Sequence, residues 1–304
     1  MHSYNKGRFS GKYDTSKKVK LWDVLRWKVF RKPTFPQKEA PVKPLQIKND
    51  KDALTQKNDF ICWLSHASFL IQLGGKRILI DPVFGDIPLY KRQIPAPYDS
   101  ATLGTIDYLL LSHVHYDHFD IPTLRKIVPK NPHAILPLHM SKVLHKVGSL
   151  KTTELDWYES YTDGDINITL VPAKHWGRRS IFDKNKALWG AYIIQHKETT
   201  LFFCGDSAMG EHFKEIGERF EIDYALMPIG AYAPKSIMQH NHLNPEEAVE
   251  ACKQLKAKTM IPMHYGTYKL TDEPLDEPLA WLKKITQDAS FDIKILRAGE
   301  VLAL

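Results

Sequence analysis

The chain has 304 residues, 43% of them hydrophobic and 25% charged. That composition supports one large core or two smaller ones and excludes collagen, bulk disorder and a polytopic membrane protein. The net charge of +7 is an N-terminal property: residues 1–50 hold thirteen Lys or Arg against four Asp or Glu, and the remainder 29 against 31. A nucleic-acid-binding surface across the whole molecule is therefore not expected, and nucleic acid is not expected as a partner.

The longest apolar stretches, such as Tyr108–Leu111 and Ala191–Ile194, fall far short of the ~20 residues needed to span a bilayer. The first thirty residues contain no run resembling a signal-peptide core, and Cys62, Cys204 and Cys252 are widely separated. A reducing, cytoplasmic location is the expectation, with the cysteines acting as small buried hydrophobes.

In chain order, residues 1–20 are basic and without periodicity and predict a flexible arm. Residues 21–30 predict a moderately amphipathic helix, with Leu21, Val24, Leu25 and Val29 on one stripe and Trp27 and Phe30 off it. Pro33, Pro36, Pro41 and Pro44 then mark a linker or an extended wrap. Residues 1–57 are thus expected to be a basic N-terminal arm with a Pro-rich linker, ahead of a catalytic domain over 58–304. In that domain Gly74-Gly75 between 69–73 and 77–80 predicts a hairpin. Further strands are expected at 107–111, 134–138, 166–172, 187–194, 200–204, 224–229 and 259–263. Helical patterns fall at 121–128, 140–147, 211–219, 245–257 and 278–286, with Asn244-Pro245-Glu246-Glu247 as a strong helix start. Strands interleaved with helices predict an α/β sandwich with helices over the sheet faces.

The decisive segment is Ser112-His113-Val114-His115-Tyr116-Asp117-His118, directly after a predicted strand. Chance supplies His-x-His-x-Asp-His roughly once in 500 chains of this composition. A loop leaving a strand points alternate side chains different ways, so imidazoles and a carboxylate from one loop serve two adjacent metal sites, with ligand types suited to Zn²⁺. Further ligand-type residues, His175, Asp206 and His264, follow predicted strands where sheets of this class place their sites. Asp81, after another strand, is a candidate to orient a ligand histidine from behind.

This residue set resembles the metallo-β-lactamase superfamily, and more closely the N-acylphosphatidylethanolamine-hydrolysing phospholipase D subgroup with its bacterial relatives. Ser112–Asp120, Pro172–Trp176, Leu188–Gly190, Gly205–Ser207, His242–Ala248 and His264–Tyr268 carry the likeness, which spans about residues 60–280. The resemblance implies an α/β (α+β) fold, a four-layer αββα sandwich with two Zn²⁺ per chain. His113, His115 and His175 would bind one zinc, Asp117, His118 and His264 the other, and Asp206 would bridge them. Asp117, Asp206 and His242 are the candidate catalytic residues, with His66, Tyr116 and His242 as candidate substrate contacts and Trp176 and Trp189 packing beside the site. The sequence departs from the subgroup at Val114, where Asn is usual, at Ser65, where Gly is usual, and at Asn241, where the animal enzyme has Gln.

The implied reaction is hydrolysis of a phosphodiester, with N-acylphosphatidylethanolamine giving phosphatidic acid and N-acylethanolamine. A phospholipid or other phosphodiester is the implied partner, with peripheral contact at the inner membrane face through residues 1–32 as one role for the basic segment. Trp22, Trp27 and Phe30 are the candidate anchors. Wrapping of the catalytic domain or a second subunit by residues 21–47 is the other role, and a homodimer is compatible with it. A lactonase, a small phosphodiesterase or a non-catalytic metal-binding protein stand as alternatives.

Overall fold

The computed structural model describes residues 2–19, 21–30, 44–286 and 291–304. Two seven-stranded sheets dominate it. The first runs, in spatial order, Val301–Ala303, Phe60–Trp63, Phe69–Leu73, Lys76–Ile80, Tyr108–Leu110, His133–Pro137 and Thr152–Leu155. The second runs Asp292–Ile293, Thr259–Met263, Tyr224–Pro228, Thr199–Phe203, Ala191–His196, Ile166–Val171 and Ser160–Asp163. Each sheet is antiparallel in one part and parallel in the rest, and the switch falls at Lys76–Ile80 in the first and Thr199–Phe203 in the second.

Alternation along the strands decides the layering. Ile61, Trp63, Phe69, Ile71, Ile78 and Ile80 pack with Ile168, Leu170, Ile194 and Phe202 in the core that joins the two sheets. The intervening Phe60, Cys62, Leu70 and Leu79 pack on the opposite face with Leu124 and Ile127 of the helix Ile121–Ile127. A strand whose successive side chains point to opposite faces and are apolar on both must be covered twice. The helices His212–Gly217 and Pro245–Leu255 contribute Phe213, Ile216, Ala248, Ala251 and Cys252 to the larger core. The result is the expected αββα sandwich. Asn244 caps its helix through a reciprocal capping box with Glu247, as the sequence indicated.

The N-terminal segment departs from expectation. Residues 2–19 are no flexible arm: His2–Asn5 and Arg8–Gly11 form a hairpin, and Phe9 and Tyr13 are buried. The Phe9 amide donates to the Asn185 carbonyl oxygen at 2.7 Å. A polar segment whose only large apolar residues are spaced irregularly shows no period, so its burial against a distant loop left no local signature. The helix Leu21–Phe30 forms as predicted but turns differently. Val29 is exposed, and Trp27, placed off the apolar stripe, is buried with its indole N–H donating to Asp272 Oδ2 at 2.9 Å. Trp27 is therefore not free to anchor in a membrane, whereas Trp22 is 66% exposed. The side chains of Leu21, Leu25 and Phe30, and the prolines at 33, 36 and 41, lie outside the described residues. Among the described residues no helix is long and apolar enough to cross a membrane.

Candidate metal centre

Both sheets deliver ligand-type side chains to one place, beyond the C-terminal ends of their strands. The first sheet sends Asp81 from Lys76–Ile80 and the loop 112–118 from Tyr108–Leu110; the second sends His175, Asp206 and His264 from three further strands. The histidine loop is pinned at both ends. Its Ser112 amide donates to Asp81 Oδ1 at 2.7 Å, and Asp120 caps the following helix by accepting from the Thr123 amide at 3.0 Å. Between them the Arg179 guanidinium donates to the carbonyl oxygens of Val114 and Phe119 at 2.9 and 2.6 Å.

Two quartets of ligand atoms result. In one, His115 Nδ1 lies 2.9 Å from His113 Nε2 and 3.1 Å from His175 Nε2, and each of those nitrogens is 3.8 Å from Asp206 Oδ2. In the other, Asp206 Oδ1 is 3.2 Å from His118 Nε2 and 3.1 Å from His264 Nε2, which are 3.8 and 3.5 Å from Asp117 Oδ2. Ligands held about 2.0–2.1 Å from a tetrahedral zinc are about 3.3–3.4 Å apart, and both quartets bracket that separation. Asp206 faces one quartet with each oxygen.

The groups behind the imidazoles set the tautomers. Ser112 Oγ donates to Asp81 Oδ2, so at 3.0 Å from His113 Nδ1 it must accept, leaving His113 Nε2 bare. His118 Nδ1 donates to Asp81 Oδ2 at 2.7 Å, and His175 Nδ1 to the Asn241 carbonyl oxygen at 3.1 Å. His113 and His175 are thus held with an unprotonated Nε2 facing inward, and His118 is turned the same way, the arrangement in which a carboxylate or carbonyl behind a histidine orients it toward an ion. His118 Nε2, His264 Nε2 and Asp206 Oδ1 are buried with no hydrogen-bond partner. Buried ligand-type atoms left without a hydrogen-bond partner and converging on one point are costly unless a cation satisfies them. The donor set therefore fits a pair of divalent ions.

Charge balance agrees. Burial, then the neighbouring imidazoles of His118 and His115, hold His113 well below the ordinary histidine value, and burial lowers His115 to about 4, so both stay neutral lone-pair donors. Burial opposes ionisation of Asp206 and Asp117, but the histidines around them outweigh it and keep both carboxyls well below the usual carboxylate range. Burial likewise lowers His118, but Asp206 with Asp117 more than reverse it and raise that imidazole well above its ordinary value, so a proton holds the place a cation would take. This half of the cluster attracts positive charge.

The backbone is bent to achieve this. His66, Asp81 and His264 all have positive φ, at 51°, 41° and 62°, a conformation costly for side chains with a Cβ and concentrated at functional sites. The His264 amide donates to the His66 carbonyl oxygen at 2.9 Å, fixing one loop on the other. Gly230 leaves room for this: a Cβ there would lie 2.3 Å from the His264 carbonyl oxygen.

His66 joins the second quartet, its Nε2 3.2 Å from Asp117 Oδ2 and its ring 4.1 Å from that of His264. His242 lies beside both quartets, Nδ1 unpartnered and 3.7 Å from Asp206 Oδ2. Trp176 packs on His115 with ring centres 4.9 Å apart, and Trp189 is buried with its N–H on the Ala173 carbonyl oxygen. Tyr116, on the same loop as His115, is 38% exposed. Its hydroxyl donates to the Arg179 carbonyl oxygen at 2.6 Å and its ring lies under that guanidinium, so it braces the loop from outside. Arg179, Tyr13 and Thr15, which hold the site from behind, carried no local sequence signal.

The described geometry is that of a metal-dependent hydrolase fold. Residues 76–265, more than half of the chain, match the family described as Beta-lactamase superfamily domain, and the chain belongs to that superfamily. It is similar to the N-acyl-phosphatidylethanolamine-hydrolyzing phospholipase D 1 of Caenorhabditis elegans, 36% identical over 255 residues that cover 77% of this chain and 71% of that protein. It is also similar to a metal-dependent hydrolase of Pyrobaculum aerophilum, 26% identical over 80% of this chain and 98% of that one. Among solved structures, the isothiocyanate hydrolase from Delia radicum gut bacteria shares the fold with a TM-score of 0.65 at 16% identity, covering 81% of this chain and 98% of that one.

Proposed function

We propose that residues 58–304 form a zinc-dependent phosphodiesterase of phospholipase D type, cleaving N-acylphosphatidylethanolamine to N-acylethanolamine and phosphatidic acid. The observation that carries the substrate is the 36% identity to a nematode enzyme of that name, joined to a ligand cluster suited to two ions. His113, His115 and His175 would hold one zinc, Asp117, His118 and His264 the other, with Asp206 between them. Such ions, when bound, supply Lewis acidity toward phosphoryl oxygens and lower the pKa of a bound water toward neutrality.

The chain's own groups then divide the remaining work. Asp206 and Asp117 stay ionised and fix the imidazoles around them. Burial lowers His242, so near neutral pH it is uncharged and offers one N–H at the rim of the cluster, where it is placed to donate to a phosphoryl oxygen or to the departing alcohol oxygen. His66 holds the Asp117 carboxylate from the other side.

The test is to incubate zinc-loaded protein with N-acylphosphatidylethanolamine in mixed micelles and to identify products by mass spectrometry, with Asp206→Ala as control. Phosphatidic acid plus N-acylethanolamine, lost in the variant, is the expected result. No turnover by protein carrying two zinc ions per chain would remove the lipid substrate and favour the second reading, a hydrolase of a smaller substrate, which the similarity to the archaeal hydrolase supports.

A further inference from the structure

Ile181 and Phe182 are adjacent, and 78% and 71% exposed. Single exposed apolar residues need no explanation, but two neighbours at the tip of a braced loop do. The loop is held from within: Asp183 Oδ1 accepts from the amides of Arg179 and Ser180 at 2.9 and 2.7 Å, and the Asn185 amide donates to the Gly177 carbonyl oxygen at 2.7 Å. The N-terminal hairpin adds a second brace, with the Arg8 guanidinium donating to the carbonyl oxygens of Phe182 and Lys184, and Lys184 Nζ to that of Ser16 at 2.7 Å. The tip is thus presented rather than frayed.

Cations surround it. The hairpin and the loop enclose an open cleft of about 480 Å³ lined by Lys6, Arg8, Lys17, Lys184 and Ile181, with exposed Arg178 beside it. Burial lowers Lys184 from its ordinary value; Asp14 opposes this, and the like charges of Arg178, Lys17 and Arg8 add to the lowering. Two acids lie within reach, Asp14, which also lines the cleft, and Asp183; both accept from neutral N–H groups, and the five cations outnumber them. The face is continuous with the metal cluster, because the Arg178 guanidinium lies 5.4 Å from the Trp176 ring, which packs on His115.

We propose that this face docks the protein on an anionic phospholipid surface, with Ile181 and Phe182 entering the acyl boundary and Lys6, Lys17, Arg178 and Lys184 meeting the headgroup phosphates. Cations alone would fit any polyanion; the apolar tip gains free energy only where hydrocarbon receives it. Docking here brings the loop that carries His175 to the lipid, whatever bond the site then cleaves.

The measurement is sedimentation of full-length, metal-loaded protein with phosphatidylcholine vesicles, with and without phosphatidylglycerol. The wild type is expected to sediment with the anionic vesicles and to be released by salt. Ile181→Ser/Phe182→Ser is expected to weaken that partitioning about tenfold or more, and Lys6→Glu/Lys17→Glu about fivefold or more for each site. Phe182→Cys carrying an environment-sensitive fluorophore is expected to shift to the blue with anionic vesicles, the native cysteines being buried. Wild-type protein left in the supernatant, undiminished sedimentation of the Ile181/Phe182 variant, or a fluorophore that does not shift each overturns the proposal. So does displacement of the wild type by duplex DNA with the apolar variant unaffected, which would make the face a nucleic-acid site. None of these readouts needs turnover, so they stand or fall apart from the substrate.

Discussion

His175 and Thr15 are joined backbone to backbone: the Thr15 amide donates to the His175 carbonyl oxygen at 3.1 Å, and the His175 amide donates to the Tyr13 carbonyl oxygen, also at 3.1 Å. Thr15 Oγ1 also donates to Asn241 Oδ1 at 2.6 Å, and the Asn241 carbonyl oxygen orients His175 Nδ1. The N-terminal segment therefore fixes a candidate ligand from two directions. Deleting residues 1–19 is expected to speed metal loss to a chelator about 10–100-fold, the range typical when outer partners of a ligand are removed. An unchanged release rate in a folded deletion variant would show that His175 holds its place unaided.

Asp81 is fully buried and serves His118 Nδ1, the Ser112 amide and Ser112 Oγ at once. Asp81→Asn keeps the shape but removes the charge behind His118. Metal affinity, read by competition with a chromogenic chelator, is expected to fall about 10–100-fold with little change in secondary structure.

Gly230→Ala places a Cβ 2.3 Å from the His264 carbonyl oxygen, a backbone atom that cannot rotate away. The loop bearing His264 must shift. The expected cost is about 1–3 kcal/mol in urea denaturation, together with a reduced metal content by elemental analysis. Normal content at normal stability would contradict the packing argument.

His212, which is not itself a candidate ligand, offers a pH test. It is buried against Ser207 Oγ at 2.9 Å, and burial, then Lys174 and Lys12, lower it from 6.5 to about 3. Below pH 6.5 the unfolded chain takes up a proton that the folded chain refuses, so unfolding is favoured as pH falls. The stability conferred by the neutral imidazole is present above pH 6.5 and is lost progressively between 6.5 and about 3. Between pH 7 and 5 the wild type is expected to lose on the order of 2 kcal/mol that His212→Gln does not lose. Parallel urea midpoints for the two proteins across that range would refute this.

Much of this was legible in the chain. The spacing within 112–118 names four of the candidate ligands because a loop of seven residues is local, and the candidates His175, Asp206 and His264 were legible as polar residues ending apolar strands. Asn244 announced its helix by chemistry that needs only its own first turn. Where contacts join distant residues the sequence was silent. Phe9 pairs with Asn185, Trp27 with Asp272 and Tyr98 with the Gly299 carbonyl oxygen, none of which any local period encodes. The strands Thr152–Leu155, Ser160–Asp163 and Val301–Ala303 also went unmarked, because edge strands are half exposed and their apolar alternation is weak.

What the sequence determined by itself is the inventory: a run of histidines and an aspartate after one strand, three more ligand types after others, and apolar strands enough for two sheets. Only the tertiary structure decided which atom of each ligand faces inward, that Asp81 reaches His118, that Tyr116 braces the loop from outside, and that the basic N-terminus straps His175. The reason is physical. Ligand identity depends on chemistry a single side chain carries, whereas tautomer, bridging and bracing depend on partners brought within 3–4 Å by the packing of two sheets.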